Sequence, residues 1–449
     1  MKKFVCRILL FILCAGLLSA QAATTVYEAD IGGRHGWLTL PKGPARALFF
    51  THRNMTEEAL LRHPEFVKAC ARLSIACLYV AEGDYMWKVD EPAGGDKRGS
   101  LPTQETFERM LDQFAQVSQH SELKTIPVIP FGHSAQATFP WNFAAWNPGR
   151  TLCILSYHGD APRTNLTGYG RENVEWGRTR NIDGIPALMI EGEYEWWEAR
   201  VCPALAFRMM YPESCISFLC DAGRGHFDLA DATVQYIVRF IEKSLEKRPN
   251  MEKIDPRAGY LAARWSPDPS VERPEPAPFG AYTGDPHDAF WYFDREMASR
   301  TEARYAETKG KKMQYLGFRH GGKTLRYDPR QHVQVRSHLI LDSDDTFTVE
   351  AFFTDETHEQ ANDAHASSQP IVRWISGPAI AALGNGRFRL DRTRLGTKES
   401  PQTRWGGITL CAEAPGDAEY KSAVCELNLS VPEPMIGAPF ITDVSRHGR

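Results

Sequence analysis

Pro127-Val128-Ile129-Pro130-Phe131-Gly132-His133-Ser134-Ala135-Gln136-Ala137 is the stretch on which the reading of this chain turns. An apolar run of strand type ends at Gly132, a serine follows two residues later, and a helix-like segment runs from Gln136 to Trp146. In the order strand, tight turn, helix, a serine at the tip is held in a strained backbone conformation. Its hydroxyl then projects from the sheet, and the next helix points its N-terminus at it. Such a turn packs closely on adjacent strands and needs small neighbours. Gly132 and Ala135 are small, whereas Gln136 stands where G-x-S-x-G has its second glycine.

Outward from this stretch, strand-like and helix-like runs alternate. Thr25 to Leu40 predicts two short antiparallel strands with Gly32-Gly33 in the turn. Strands follow at Ala47–Thr51, Ile75–Val80, Ile126–Phe131, Thr151–Ser156, Ile185–Ile190 and Cys215–Cys220. Helices are expected at Thr56–Leu73, Glu105–Val117, Gln136–Trp146, Trp196–Met210 and Phe227–Leu245. Continuous apolar strands alternating with helices imply an α/β fold with a doubly wound, mostly parallel sheet, whose reactive groups gather at the carboxyl ends of the strands. Glu82 to Thr103, rich in Gly, Pro and charge, reads as a loop beside that end. Arg248 to Pro278 is proline-rich and reads as a connector. Ala289–Phe293 with Glu296–Tyr305 reads as a helix carrying an aromatic anchor. Beyond Gln314 short strands with Gly and Asp turns predict an all-β sandwich.

The 449 residues exceed one ordinary domain, and 43% hydrophobic with 24% charged residues is a globular composition. A formal charge of −4 leaves no basic footprint for nucleic acid. Lys2, Lys3 and Arg7 precede an apolar run from Ile8 to Leu18, and Ala20-Gln21-Ala22 forms a small-x-small cleavage site. The expected organisation is therefore a signal peptide at 1–22, an α/β unit at 23–247, a connector with docking helix at 248–313, and a β-sandwich at 314–449, in a secreted or periplasmic protein without a stable membrane span. Of ten cysteines, Cys6 and Cys14 leave with the leader. Cys70 with Cys77, Cys215 with Cys220, and Cys411 with Cys425 are near pairs. The last is the persuasive disulfide candidate, since neighbouring strands of a β-unit could carry it.

Gly132-His133-Ser134-Ala135 resembles the esterase elbow of the α/β-hydrolase superfamily. A serine hydroxyl needs a base in contact with it, itself held by a carboxylate. His226, in Cys220-Asp221-Ala222-Gly223-Arg224-Gly225-His226-Phe227, follows the last strand of the sheet, where the resemblance also places the base. Leu188-Met189-Ile190-Glu191-Gly192-Glu193-Tyr194-Glu195 is similar to the superfamily's strand-G-x-x-Asp pattern, with Glu195 in the acid position. Glu193 and Glu191 compete with it, and Asp160 is a more distant candidate. An oxyanion needs two donors in place beforehand. The resemblance assigns the Ala135 N–H and, because Thr51-His52-Arg53-Asn54 resembles the His-Gly-x turn, the Asn54 N–H, with Arg53 as the alternative. His52 and His133 read as structural turn residues, and His158 with Asp160 as hydrogen-bonded loop residues.

By the same resemblance, 157–184 is a lid over the site. Thr409 to Lys421, together with Ile375–Ala379, resembles bacterial immunoglobulin-like domains. Trp87, Trp176, Trp196 and Trp197 suit a sugar or aromatic acyl pocket and core packing equally. The implied function is an exported serine esterase that needs no cofactor or metal and acts on carbohydrate or polymer-linked acyl groups. A serine peptidase, a polyester depolymerase and a non-catalytic binding module on a hydrolase scaffold are the alternatives.

Overall fold

The computed structural model describes residues 26–431 apart from 33, 55, 81–102, 160, 163–175, 177–180, 196, 269, 332, 343, 355–370, 375–379 and 395–406. The expected signal peptide, nearly all of the Glu82–Thr103 loop, most of the expected lid and residues 375–379 lie outside the described residues, as do Trp87, Trp196 and Asp160. Among the described residues, no helix is long and apolar enough to cross a membrane.

An eight-stranded sheet is built from β1 (Val26–Ile31), β2 (Arg34–Thr39), β3 (Ala47–His52), β4 (Ile75–Val80), β5 (Val128–His133), β6 (Ile154–Tyr157), β7 (Pro186–Gly192) and β8 (Cys215–Asp221). Its order is β1-β2-β4-β3-β5-β6-β7-β8. The β1–β2 hairpin and the β2–β4 pair are antiparallel; every later pair is parallel. The helices are α1 (Glu57–Arg62), α2 (Pro64–Leu73), α3 (Thr103–Ser118), α4 (Phe139–Trp146), α5 (Trp197–Met210) and α6 (Asp231–Lys247).

Period-two alternation along β3 shows why this sheet must be covered twice. Leu48 and Phe50 point into a core with Phe107 and Met110 of α3 and Phe139 and Phe143 of α4. Ala47 and Phe49 point into another with Leu60, Phe66 of α2 and Phe240 of α6. Each fully buried phenylalanine contributes ~2–3 kcal/mol. The expected single helix at 56–73 is two, because Pro64 opens the second and His63 before it is extended. The helix expected to start at Gln136 starts at Phe139, after a separate 3-10 turn over Ser134–Gln136. Pro140 then falls in the first helical turn, where its missing N–H costs nothing.

The stretch expected as a connector is instead a structured layer. Strands β9 (Tyr260–Ala263), β10 (Ala277–Pro278) and β11 (Ala289–Tyr292) form a small antiparallel sheet, followed by α7 (Arg295–Thr308). The aromatic run at 289–292 is thus strand, not helix. Leu261, Phe290, Trp291 and Tyr292 belong to the main core. Tyr292 donates to the carbonyl of Phe218 (2.6 Å) and Ser217 to that of Trp291 (2.5 Å), tying the layer to β8.

The all-β sandwich follows, with β12 (Tyr315–His320), β13 (Lys323–Arg326), β14 (Val335–His338), β15 (Thr346–Thr348), β16 (Glu350–Thr354), β17 (Ile371–Trp374), β18 (Ile380–Gly384), β19 (Arg387–Leu390), β20 (Gly407–Ala414) and β21 (Ala423–Ser430). They make sheets β13-β12-β16, β14-β21-β20-β17 and β15-β19-β18 around a core that includes Phe318, Phe347, Phe353, Leu410 and Leu427.

All eight cysteines from Cys70 onward are free. The expected Cys411–Cys425 disulfide is absent for a geometric reason. In the β20–β21 register Cys411 pairs with Glu426 and Cys425 with Ala412, so the two side chains point to opposite faces. Cys411 packs into the main core and Cys425 into the sandwich core. The Cys70 and Cys77 sulfurs are 3.7 Å apart as thiols, and burial pushes the Cys70 thiol well up.

Candidate active site

Ser134 directly follows the elbow strand β5 with a φ of 54°, a left-handed conformation that costs an L-residue ~1–2 kcal/mol and is kept here by its surroundings. A Cβ on Gly132 would lie 2.0 Å from the Gln136 carbonyl oxygen, and one on Gly159 would lie 2.1 Å from the Ala137 Cβ. The turn is therefore clamped between β5 and the end of β6 with no space for a methyl group. Gln136 is accommodated there fully buried.

His226 lies in the loop between β8 and α6. Its Nε2 is 2.7 Å from Ser134 Oγ, and its Nδ1 contacts Glu195 Oε1. Glu195 lies just beyond β7, and its Oε2 accepts the Gly192 N–H at 2.8 Å. Burial pushes the Glu195 carboxyl up, but the His158 and His226 rings and the Gly192 N–H outweigh it and hold it at about 2.

The competing acids are elsewhere. Glu193 accepts from Lys421 Nζ (2.6 and 2.7 Å) and from the Gly223 N–H (2.7 Å). Glu191 is buried and accepts the Gly159 N–H at 2.9 Å. Burial, then the neighbouring Glu195 charge, pushes its carboxyl well up. Two acids four residues apart are thus shifted in opposite directions, and the one held low faces the imidazole.

Two further histidines join the group, at the carboxyl ends of β5 and β6. His133 Nε2 is 2.8 Å and His158 Nδ1 3.0 Å from the carbonyl oxygen of His226, and His158 Nδ1 is also 3.2 Å from Glu195 Oε2. Both rings are fully buried. Burial first, with the like charge of neighbouring imidazoles, lowers both below the ordinary histidine value, His133 strongly. His133, His158 and His226 also lie close enough together to suggest a metal site. Yet both His226 ring nitrogens are engaged by Ser134 and Glu195, and each of the other rings directs a nitrogen at the His226 carbonyl. As a turn residue and a loop residue, the two histidines carry no local sequence pattern that points to this cluster. Their position at the mouths of adjacent strands was the available signal.

At the end of β3, the Arg53 N–H donates to the Val80 carbonyl (2.8 Å), which removes the alternative oxyanion donor. Asn54 Nδ2 donates to the His133 carbonyl (2.7 Å), pinning this turn beside the serine. His52 is buried against Phe50 and Phe139, a packing position. Trp176 packs edge-on against Phe207 of α5.

The strand order, with antiparallel β1 and β2 and a crossover that puts β4 outside β3, and the left-handed serine immediately after β5 decide the architecture. The N-terminal half has the α/β-hydrolase fold. No protein-family model and no curated protein matches the sequence. Among solved structures, the N-terminal half is similar to S-formylglutathione hydrolase FrmB from Staphylococcus aureus (13% identity, 50% of this chain and 98% of that one, TM-score 0.35). It is also similar to poly(aspartic acid) hydrolase-1 from Sphingomonas sp. KT-1 (12%, 49% and 98%, TM-score 0.34) and to Est1E from Butyrivibrio proteoclasticus (13%, 49% and 98%, TM-score 0.31). In the α/β-hydrolase half of this chain, the order serine, acid, histidine along the sequence follows β5, β7 and β8.

Proposed function

We propose that this chain is an exported serine hydrolase that cleaves carboxylic esters. The observation that carries the reading is a single imidazole, His226, whose two nitrogens meet Ser134 Oγ and the Glu195 carboxylate. Ser134 Oγ attacks the ester carbonyl carbon while its proton passes to His226 Nε2. The resulting tetrahedral oxyanion is held by the Ala135 and Asn54 backbone N–H groups. Collapse breaks the C–O bond, and His226 returns the proton to the departing alcohol. Water then attacks the acyl-serine, giving its proton to His226, and the acid product leaves with Ser134 restored. Glu195, ionised throughout, keeps Nδ1 protonated and stabilises the imidazolium.

Carbohydrate- or polymer-linked acyl groups are the proposed substrates, since export and an appended sandwich suit an extracellular polymer. Labelling with a fluorophosphonate tests the chemistry: the wild-type protein is modified at Ser134 and Ser134→Ala is not. An unlabelled wild type, under conditions that label another serine hydrolase, overturns the reading. Turnover of acetylated polysaccharide against amide and polyester substrates tests the substrate class.

A further inference from the structure

We propose that the C-terminal sandwich is a working part of the active site, its residues Tyr327, Lys421 and Ser422 positioning the loop that presents His226. The inference rests on the serine hydrolase reading above.

The loop between β8 and α6 is anchored to the sandwich on both sides of His226. Before it, the buried Arg224 guanidinium donates to the Ser422 carbonyl and to Ser422 Oγ, both at 2.7 Å. Lys421 Nζ holds the Glu193 carboxylate, which accepts the Gly223 N–H. After it, Tyr327 donates to Asp228 Oδ1 at 2.6 Å, while Asp228 Oδ2 accepts the Gly225 N–H at 2.7 Å. The acid loop is tied into the same assembly, because the Tyr194 N–H donates to the Arg224 carbonyl (3.0 Å) and the Glu193 N–H to that of Asp221 (3.2 Å). One set of anchors therefore places both His226 and Glu195.

Backbones also meet directly. A Cβ on Gly225 would stand 2.1 Å from the Pro329 carbonyl oxygen, and one on Gly223 3.1 Å from that of Ser422. Apolar contact alone would serve for adhesion. Buried Arg224, Asp228 and Lys421, each with partners, instead specify one relative placement, because a misregistered interface would leave buried cations and a buried carboxyl without their hydrogen-bond partners. A serine and imidazole in contact gain from this: displacement by ~1 Å costs on the order of a hundredfold in rate. Tyr327, Lys421 and Ser422 are thus positioning residues.

In the full-length protein, Lys421→Met and Tyr327→Phe should each lower kcat on a p-nitrophenyl ester about tenfold with KM unchanged, and slow fluorophosphonate labelling of Ser134 equally. Lys421→Arg, which keeps the charge, should recover most of the loss. Lys312→Ala, at the exposed pair with Glu419 on the same sandwich, should leave kcat at the wild-type value. Wild-type kcat in folded Lys421→Met and Tyr327→Phe overturns the proposal, as does a loss matched by a fall in folded fraction. Should either variant not fold, Ser422→Ala decides on the same readouts. An inactive, unlabelled wild type overturns the hydrolase reading and this one together; an active wild type with unmoved variants overturns this one alone.

Discussion

His158 Nδ1 stands 3.2 Å from Glu195 Oε2 and 3.0 Å from the His226 carbonyl oxygen, so one buried imidazole touches both the acid and the backbone of the proposed base. The ring stacks on Tyr157 (3.9 Å between centroids), and its backbone is left-handed, with φ 48°. His158→Phe would preserve an aromatic face and lose the N–H. We expect kcat to fall about tenfold with KM unchanged. His158→Asn, which tolerates a positive φ and retains a donor, should lose less. Steady-state kinetics on one ester substrate compares them, and equal activity of His158→Phe and wild type would contradict this role.

The acid assignment separates two glutamates. Glu195→Gln removes the carboxylate at His226 Nδ1 and is expected to reduce kcat on the order of a thousandfold, with Ser134 still present. Glu193→Gln breaks the Lys421 pair and should cost far less, about tenfold. The reverse ranking would place the acid at Glu193.

Gly132 is a test of the turn itself. Gly132→Ala forces a methyl group to within 2.0 Å of the Gln136 carbonyl oxygen, and should destabilise the fold by about 3 kcal/mol or displace Ser134. Gly149→Ala has open space around the new methyl group and should be near neutral. Urea unfolding of the two variants makes the comparison, and similar midpoints would show that the elbow relaxes.

Asp228 links the anchoring loop to pH. Burial lifts its carboxyl from 3.8 to about 7, so the folded chain keeps a proton that the unfolded chain releases. Stability from this group is complete below about 4 and is lost as pH rises towards 7. Burial also raises Glu58 to about 7, in the same window, so wild type alone does not isolate Asp228. Against Asp228→Asn, the unfolding free energy of wild type should fall between pH 4 and 7. A difference independent of pH would mean that Asp228 is ionised throughout.

Glu195 has the opposite sign. Its carboxyl is held at about 2 in the folded chain, below its ordinary 4.5, so its contribution is present above the ordinary value and lost as pH falls towards 2. The acid side of the stability profile should therefore be shallower in Glu195→Gln than in wild type, as followed by urea midpoints from pH 5 to pH 2.

Local chemistry along the chain determined the alternation of strands and helices, because apolar runs such as Ala47–Thr51 and Cys215–Cys220 have to be covered on both faces wherever they lie. It also determined the serine turn, since Gly132 before Ser134 is a requirement of backbone space. The tertiary structure alone decided which glutamate meets His226, because three acids within five residues differ only in the direction a loop takes after β7. It decided that 248–313 is a core layer: prolines such as Pro278 sit on an edge strand, and composition does not record what they pack against. Cys411 and Cys425, separated by one step of register, show the same thing, as do His133 and His158, brought to one carbonyl from two strands. Contacts between residues far apart in sequence depend on strand order and facing, and no local pattern encodes either.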